Sequence, residues 1–408
     1  DSLATMSRFQ VLQFGLMTGL LASGYGVMFT VLDDFRDDYG IDAYWLGTIV
    51  GIGFLASFVA QIFLAPLADR GHARRLVLSG LVLHTIGLLA MAVGEALPVL
   101  LLGRFVSGVG VGMALPAIRR IVVNGDPANI GNNVGLLMSS DVAGFAAGPV
   151  VSAVLVPQFG IPAPFLTIAA LTVVCAPIVL RVPIVEASPD RLPETRLAFD
   201  LLRSRPLVAG LLMGSAVFLM IGTFDALWAI VLDDLGAGEL VANVGISIFA
   251  LPLVVLGAYG GRLAQRVGPF RLGPLGLVLG AGFMFSYGLL PTGLAMLAVG
   301  SVHAVCDGLT VSSAAVGVGM AAPPARQASA QGLLGAAETL TGGVTSVLAG
   351  VLYAAGGRTL AYTVCAIVMV LLAVGASALA GPEYRRRRVT GPAPDVARDP
   401  ASAVTGHA

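Results

Sequence analysis

The sequence contains no lysine, few charges of either sign and few cysteines. Only 11% of its 408 residues are charged, against about 25% in soluble domains, which excludes an ordinary soluble protein. The formal net charge is zero, so we expect no nucleic-acid partner. The cysteines have no paired spacing, which excludes a disulfide framework and a cysteine metal site. They are Cys175, Cys306 and Cys365.

The signatures of an enzyme are also missing. A phosphate-binding G-x-x-x-x-G-K-[ST] loop does not occur, which argues against ATP as the energy source. The sequence shows neither a nucleophile with a base and an orienting group nor a cluster of metal ligands. We therefore expect neither an enzyme nor a bound cofactor or metal.

Long hydrophobic runs dominate the chain. Hydrophobic residues make up 57% of it and 53 residues are glycine, which is more frequent in membrane helices than in soluble ones. A helix needs about 20 apolar residues to cross the bilayer core, whereas barrel strands alternate over about 10. Twelve windows have the helical length: 11–31, 46–67, 76–94, 99–115, 134–156, 162–180, 207–232, 241–263, 272–290, 293–320, 331–353 and 361–379. The sequence predicts an all-α polytopic membrane protein with twelve transmembrane helices.

The arginines lie mostly on one side of these spans. With the N-terminus inside, 20 of the 23 arginines fall on the cytoplasmic side, among them Arg119 and Arg120. Arg36 and Arg358 fall outside, and Arg104 lies within a span. By the positive-inside rule, we expect both termini in the cytoplasm.

A polar stretch with prolines and alternating charge divides the chain in two. We predict an N-terminal six-helix half at 1–180, a cytoplasmic linker at 181–206 and a C-terminal six-helix half at 207–384. The tail at 385–408 begins with four arginines, and we expect it to be disordered after them.

The two halves repeat each other. Three pairs of segments correspond: 31–34 with 231–234, 66–71 with 262–268, and 135–137 with 332–334. The last register places Asp141 opposite Glu338. Parallel repeats of this kind mark a transporter architecture with the substrate site between the halves, and no filter-like loop favours a channel. We therefore predict two pseudo-symmetric halves.

The loop between the second and third spans reads APLADRGHARR at 65–75. It resembles the signature loop of the major facilitator superfamily, G-x-L-A-D-R-x-G-R-R, with alanine at the first glycine and the second glycine displaced to position 71. The resemblance implies the fold of that family and a cytoplasmic gate that includes Asp69, Arg70, Arg74 and Arg75. The alternative is that these arginines only orient the spans.

The fourth span carries RFVSGVGVG at 104–112, which resembles the family motif R-x-x-q-G-x-g. An unpartnered guanidinium within a span costs at least about 2.5–3.5 kcal/mol. We therefore expect a carboxylate on a neighbouring helix, or a cavity, beside Arg104. The resemblance implies a part in proton coupling, and the alternative is a fixed ion pair between helices.

The fifth span carries GFAAGP at 144–149, which resembles the family's antiporter motif G-x-x-x-G-P. Gly144 and Gly148 have the spacing that lets another helix approach closely, and Pro149 bends the span. The trailing glycine pair of the motif is replaced by 151–153. The subgroup that the chain most resembles is the twelve-span drug:proton antiporters, which implies a monomer in the bacterial cytoplasmic (inner) membrane.

Ionisable residues inside spans are costly and therefore candidates for function. Asp141 shares a helix face with the antiporter glycines, and His303 and Asp307 are i, i+4 neighbours. Because burial favours the neutral form, such groups can take up and release protons. The candidates for proton coupling are Arg104, Asp141, Asp225, His303, Asp307 and Glu338. For all of these except Arg104, the alternative is a hydrogen bond to a neighbouring helix, and we expect His84 to be a packing residue.

Together these features indicate a secondary active transporter. We expect proton-coupled efflux of small amphipathic or hydrophobic compounds, with Asp141 or Glu338 essential. Its partners are then a small-molecule substrate, protons and the lipid bilayer. The alternative is a proton symporter that imports a small polar solute, which would need more buried charge than these spans contain. A non-transporting scaffold is disfavoured by the buried protonatable groups.

Overall fold

The computed structural model describes residues 6–184, 186, 192–193, 195–237 and 239–381. For residues 29, 33, 43, 44 and 239–248 only the backbone is described. The predicted tail at 385–408 lies outside the described residues. Part of the predicted linker, 187–191, lies outside them as well.

The described residues are almost entirely helical. The N-terminal half contains α1 (Arg8–Asp37), α2 (Ala43–Phe63), α3 (Ala73–Val93), α4 (Leu97–Gly125), α5 (Ile130–Phe159), α6 (Pro162–Cys175) and α7 (Ile178–Arg181). The C-terminal half contains α8 (Arg205–Asp234), α9 (Glu239–Val267), α10 (Pro269–Tyr287), α11 (Gly293–Thr310), α12 (Ser313–Ala321) and α13 (Gln327–Leu379). Short 3-10 helices lie at Ala65–Arg70 in the signature loop and at Phe199–Arg203 in the linker.

The helices confirm twelve spans. Ten segments of the described residues are long and apolar enough to cross a membrane. One of them, Pro324–Leu379, holds two helices, because the backbone at Gly356 and Gly357 is non-helical. The 29-residue α9 also has spanning length. The chain therefore has the all-α architecture of a multi-pass membrane protein.

Three predicted spans differ in detail from the structure: 99–115, 293–320 and 162–180, the last of which is divided into α6 and α7. The predicted span 99–115 ends too early, since α4 continues to Gly125 and contains both Arg119 and Arg120. The apolar residues after this arginine pair, Ile121 to Val123, extend the helix beyond the charge. The predicted span 293–320 is two helices, α11 and α12, interrupted at Val311–Ser312.

Close helix pairs within each half rest on glycine. In the N-terminal half α1 packs along α5, where a Cβ on Gly144 would overlap the carbonyl oxygen of Gly19. In the C-terminal half α8 packs along α13, and Gly222 faces the carbonyl oxygen of Gly342 in the same way. Small residues allow this backbone approach in membranes, where van der Waals packing replaces the hydrophobic effect between helices.

The two halves meet along α5 with α9 and along α2 with α13. At the first contact, Gly131 and Gly135 face the carbonyl oxygens of Gly261 and Gly257, too closely for a Cβ. These residues lie near the start of α5 and the end of α9. That end of the bundle carries the loops with most of the arginines, and we call it the arginine-rich end.

Candidate functional site

Asp69 connects the two halves at the arginine-rich end. It lies in the signature loop and is fully buried. Its carboxylate accepts hydrogen bonds from the backbone N–H groups of Ala328 (3.0 Å) and Ser329 (2.7 Å), at the start of α13. Carboxylates are stabilised at helix N-termini, where backbone donors and the positive end of the helix dipole coincide. Asp69 thus holds the first half against the second.

Gln265 makes the equivalent contact from the other half. Its side-chain oxygen accepts a hydrogen bond from the backbone N–H of Gly131 (2.7 Å), and its amide donates to Ala128 (2.9 Å). The register that aligns Asp141 with Glu338 also aligns Gly131 with Ala328. The two contacts are therefore related by the internal repeat, with a charged group in one half and a neutral group in the other.

Arg120 completes the Asp69 contact and was not among the predicted site residues. Its Nε donates to Asp69 Oδ1 at 3.1 Å, and both side chains are buried. The charge of Asp69 is therefore compensated inside its own half. The apolar run after Arg120 was the sequence signal that this arginine is helical and lies in the protein interior.

The arginines of the signature loop bind the linker. Arg70 donates to the carbonyl of Pro193 (3.0 Å), and Arg74 donates to the carbonyls of Leu180 (3.0 Å) and Val182 (2.9 Å). Glu186 accepts hydrogen bonds from the backbone N–H groups of 73 and 74, at the start of α3. Arg75 is exposed. Among the predicted gate residues, Asp69 is therefore the one whose hydrogen bonds, described above, join the two halves.

An ion pair between Arg326 and Asp200 holds the C-terminal part of the linker. Arg326 binds both carboxylate oxygens of Asp200, at 2.8 and 2.9 Å, and also the hydroxyl of Thr195. Burial raises the pKa of Asp200, but the hydrogen bonds and charge of Arg326 outweigh it and hold that pKa below its usual range. The ion pair therefore stabilises the folded protein only where Asp200 is ionised.

This ion pair predicts a pH dependence of stability. A carboxylate whose pKa is lowered on folding stabilises the protein above its unfolded pKa of about 3.9, and loses that contribution as the pH falls through its folded pKa. We expect Asp200→Asn to lower the free energy of unfolding by about 0.5–1 kcal/mol at neutral pH, a small effect because the pair is partly exposed and screened. The difference from wild type declines as the pH falls below about 4 and disappears below the folded pKa of Asp200.

Denaturant unfolding of the purified protein at several pH values checks this expectation. Asp38→Asn, which changes an exposed aspartate near the end of α1, is the matched control and leaves stability unchanged at each pH. An Asp200→Asn deficit of the same size at about pH 3.5 and at pH 7 would contradict the assignment.

Asp141 and Glu338, one in each half, are linked by electrostatics. Asp141 is partly buried on α5, and Glu338 is buried on α13. Their charges lie close enough to interact with each other, and both interact with the charge of Arg119 on α4. Gly214 of α8 leaves room for Glu338, since a Cβ there would lie 3.0 Å from its Oε1. Sequence reasoning paired the two carboxylates by register but missed Arg119.

The antiporter glycines serve the packing of α1 on α5. Gly144 faces Gly19, and Gly148 faces the backbone at Gly26 and Val27. Pro149 lies within α5, which remains helical through it. The close approach predicted from the spacing is present, and its partner is α1.

Arg104 lies fully buried in the N-terminal half, and among the described residues it lacks the carboxylate partner that was one of its two predicted settings. No described carboxylate contacts it, and its Nε and Nη2 have no hydrogen-bond partner within the described residues. The guanidinium instead lies 3.8 Å from the ring centre of Tyr25 and 5.9 Å from that of Phe54. Gly53 leaves the space it fills, since a Cβ there would lie 2.5 Å from Nε. Aromatic faces attract a desolvated cation by about 2 kcal/mol, which replaces part of the missing ion pair.

His84 lies beside this group, on α3. Its Nδ1 is 2.9 Å from the hydroxyl of Ser107 on α4, and the imidazole is fully buried. A histidine hydrogen-bonded between adjacent helices agrees with the packing role expected from the sequence.

The remaining candidates lie in the C-terminal half. His303 Nε2 is 3.3 Å from Asp307 Oδ2 on the same helix face, as the i, i+4 spacing predicts. His303 Nδ1 is 3.0 Å from the hydroxyl of Tyr287 on α10, a partner that the sequence did not indicate. Asp225 lies on α8 and is exposed. Among the described residues, no group of three or more His, Cys, Asp or Glu side chains is arranged to hold a metal ion.

Comparison with known proteins identifies relatives of one kind. Residues 14–233 and 211–406 both match the family model of the Major Facilitator Superfamily. The quinolone resistance protein NorA of Staphylococcus aureus (strain MRSA252) is 28% identical over 140 residues, which are 34% of this chain and 36% of NorA. The niacin transporter NiaP of Acinetobacter baylyi is 30% identical over 167 residues, 38% of each protein. The alignments thus span little more than a third of these relatives.

Solved structures share the fold over nearly the whole chain. The human organic anion transporter MFSD10 (TETRAN) superposes with a TM-score of 0.73 and 17% identity, covering 90% of this chain and 98% of that one. The proton:xylose symporter XylE gives a TM-score of 0.73 and 15% identity, covering 90% and 94%. At this identity the likeness concerns the fold.

Proposed function

Because the chain belongs to the major facilitator superfamily, we propose that it is a secondary active transporter that exports small amphipathic or hydrophobic compounds in exchange for protons. The observation that carries the proposal is that Asp141 and Glu338, one from each half, each interact electrostatically with Arg119, and that the charge of Asp141 also reaches Glu338. Two carboxylates beside a single arginine leave one negative charge to be neutralised. Inside a membrane that charge favours a bound proton or a cationic substrate.

Alternating access supplies the coupling. The contacts of Asp69 and Gln265 close the arginine-rich end, which we propose to be cytoplasmic because of its positive charge. A state open at that end must break these contacts and separate the two halves. Protonation and substrate binding at Asp141 and Glu338 would bias this equilibrium, because they change a charge that lies between the halves.

The efflux direction rests on two further observations. The spans supply few charges for binding a polar solute, and the similar segment of NorA belongs to a protein named for quinolone resistance. An apolar cavity with a few ionisable groups suits amphipathic compounds, since specificity then comes from a small number of polar contacts.

The sign of substrate-driven proton movement tests the proposal. Proteoliposomes containing a trapped pH indicator receive a permanently charged lipophilic cation, which cannot carry protons itself. Exchange moves the cation inward and protons outward, so the interior becomes alkaline. We expect Asp141→Asn and Glu338→Gln to abolish this response while the protein remains folded, and the exposed control Asp38→Asn to keep it. Normal responses in both site variants would refute the assignment.

A symporter that imports a small anionic solute is the second candidate. It is favoured by the N–H donors of the buried Arg104 that have no hydrogen-bond partner among the described residues, and by the match to a niacin transporter. Adding small carboxylates to the same proteoliposomes would then acidify the interior, because solute and proton enter together. The opposite signs of the two responses separate export by exchange from import.

A further inference from the structure

Gln61 of α2 is a polar side chain buried at the contact between the two halves. It is 6% exposed, and its amide donates hydrogen bonds to Ser57 Oγ on its own helix (3.1 Å) and to Thr339 Oγ1 on α13 (3.4 Å). Thr339 directly follows Glu338, one of the two carboxylates proposed to couple protons. Gln61 therefore joins α2 to the turn of α13 that carries Glu338.

Gly335 of α13 is the seat of this side chain. A Cβ on Gly335 would overlap Gln61 Oε1, so a larger residue does not fit beside the amide in this arrangement. The Thr339 hydroxyl donates to the carbonyl oxygen of Gly335 (2.7 Å). Gly335 precedes Glu338 by three residues, which is about 4.5 Å along a helix axis. The seat thus lies on the side of Glu338 that faces the arginine-rich end, where α13 begins.

The internal repeat shows that the side chain of Gln61 is an addition to an otherwise symmetric contact. The register of the repeated loops places Gln61 opposite Gly257, and the register of α5 with α13 places Gly332 opposite Gly135. Both crossings have the same close backbone approach, since Gly135 faces the carbonyl oxygen of Gly257 and Gly332 faces that of Gln61. The α2–α13 crossing keeps this backbone contact and adds a polar side chain to it.

The residue opposite Gly335 in the repeat supports a fitted pair. That residue is Met138 on α5. Where α9 has Gly257, its partner helix has a long side chain at this position, and where α2 has Gln61, its partner helix has glycine. One large and one small residue are thus present at both crossings, with the roles of the helices exchanged. Complementary sizes are what close packing requires.

We propose that Gln61 is a positioning residue that closes the α2–α13 crossing on the arginine-rich side of Glu338. Gly335 is its seat, and Thr339 is its hydrogen-bond partner. The inference rests on the alternating-access function proposed above. When α2 and α13 separate at the arginine-rich end, the amide leaves its seat and Glu338 becomes accessible from that side. Gln61 thus links opening of this end to access to the carboxylate.

A second-site rescue tests the fit between Gln61 and Gly335. Gly335→Ala places a methyl group in the space of the amide, and we expect a shift of roughly fivefold towards the open state. Longer distances between spin labels at the exposed residues Leu67 and Val267, one in each half, report this shift. Adding Gln61→Ala to Gly335→Ala vacates the space and restores the wild-type distances. Gly343→Ala, on the same helix, is the control, because a Cβ there has nothing within 4 Å.

Two results of this experiment would overturn the inference. One is a Gly335→Ala protein with wild-type distances, which would mean that the seat is not needed for closure. The other is a shift in Gly335→Ala that Gln61→Ala does not reverse, which would mean that the methyl group clashes with something other than the amide. The label distances need no substrate, so the test remains readable if the proposed export fails.

Paired substitutions of Thr339 test the hydrogen bond. Thr339→Val keeps the shape and removes the hydroxyl, and we expect about a threefold shift towards the open state and a similar loss of substrate-driven proton flux. Thr339→Ser keeps the hydroxyl and retains wild-type behaviour. In a Gln61→Ala background the two variants become equal, because the amide is absent. A difference that persists in that background would assign the effect to α13 alone and overturn the partnership with Gln61. Wild-type distances and flux in Thr339→Val would refute it too and leave the proposed function intact.

Discussion

Asp69→Asn is expected to shift the protein strongly towards the state open at the arginine-rich end. The carboxylate of Asp69 accepts two backbone N–H groups of α13 across the interface between the halves. Asparagine has one acceptor oxygen and no charge, so at least one charge-assisted bond is lost. Hydrogen bonds to charged groups contribute about 1.5–3 kcal/mol each, which corresponds to a shift of roughly 10- to 150-fold in the equilibrium.

Distances between spin labels on the two halves measure this shift. Leu67 and Val267 are exposed at the arginine-rich end, one in each half, and accept labels in a background without the three native cysteines. The distance distribution is expected to move to longer values in Asp69→Asn. Asp37→Asn, which alters an exposed ion pair with Arg36, is the control and keeps the wild-type distribution. An unchanged distribution in Asp69→Asn would mean that Asp69 does not hold the halves together.

Gly135→Ala is expected to prevent closure at the same end. Its Cβ would overlap the carbonyl oxygen of Gly257 on α9, and a backbone atom cannot move aside as a flexible side chain does. Overpacking of this kind costs about 1–3 kcal/mol. This free energy destabilises only the state that is closed at the arginine-rich end, because α5 and α9 are in contact there. Transport should therefore drop roughly 5- to 150-fold, although the protein still inserts and folds.

Gly282→Ala is the matched control for this variant. A Cβ on Gly282, in α10, has nothing within 4 Å, so the same change of side chain adds no clash. Transport rates and the distance between labels at 67 and 267 are compared in the two variants. A Gly135→Ala protein that transports at the wild-type rate would show that α5 and α9 need not approach this closely during the cycle.

The internal repeat was the most informative feature of the sequence. The register that pairs Asp141 with Glu338 also pairs Gly131 with Ala328, and these last two residues donate the two pseudo-symmetric hydrogen bonds between the halves. The signature loop indicated a gate at this end of the protein. The sequence did not show that Asp69 reaches across to the other half, because its partner is a backbone N–H, which every residue except proline has.

The buried arginines show where the sequence argument fails. For Arg104 the sequence predicts a carboxylate on a neighbouring helix or a cavity, whereas the structure places its guanidinium against the ring of Tyr25. Arg119 and Arg120 fall after the predicted span 99–115, but both lie in α4, where Arg119 interacts electrostatically with Asp141 and Glu338 and Arg120 binds Asp69. Arginines near a span boundary orient the helix and also form ion pairs, and hydropathy alone does not separate these two roles.

The sequence by itself determined the membrane class, the twelve spans, the duplication and the family. The length of a hydrophobic run and an internal repeat can be read along the chain without knowing which residues are in contact. The tertiary structure decided which groups interact: Asp69 binds the start of α13, the charge of Arg119 reaches Asp141 and Glu338, and Tyr287 contacts His303. These contacts depend on the rotation and depth of helices that are distant in the chain. The rotation and the depth of each helix are set by the close approach of backbones at glycine. The positions of the spans in the sequence do not show which glycines face each other.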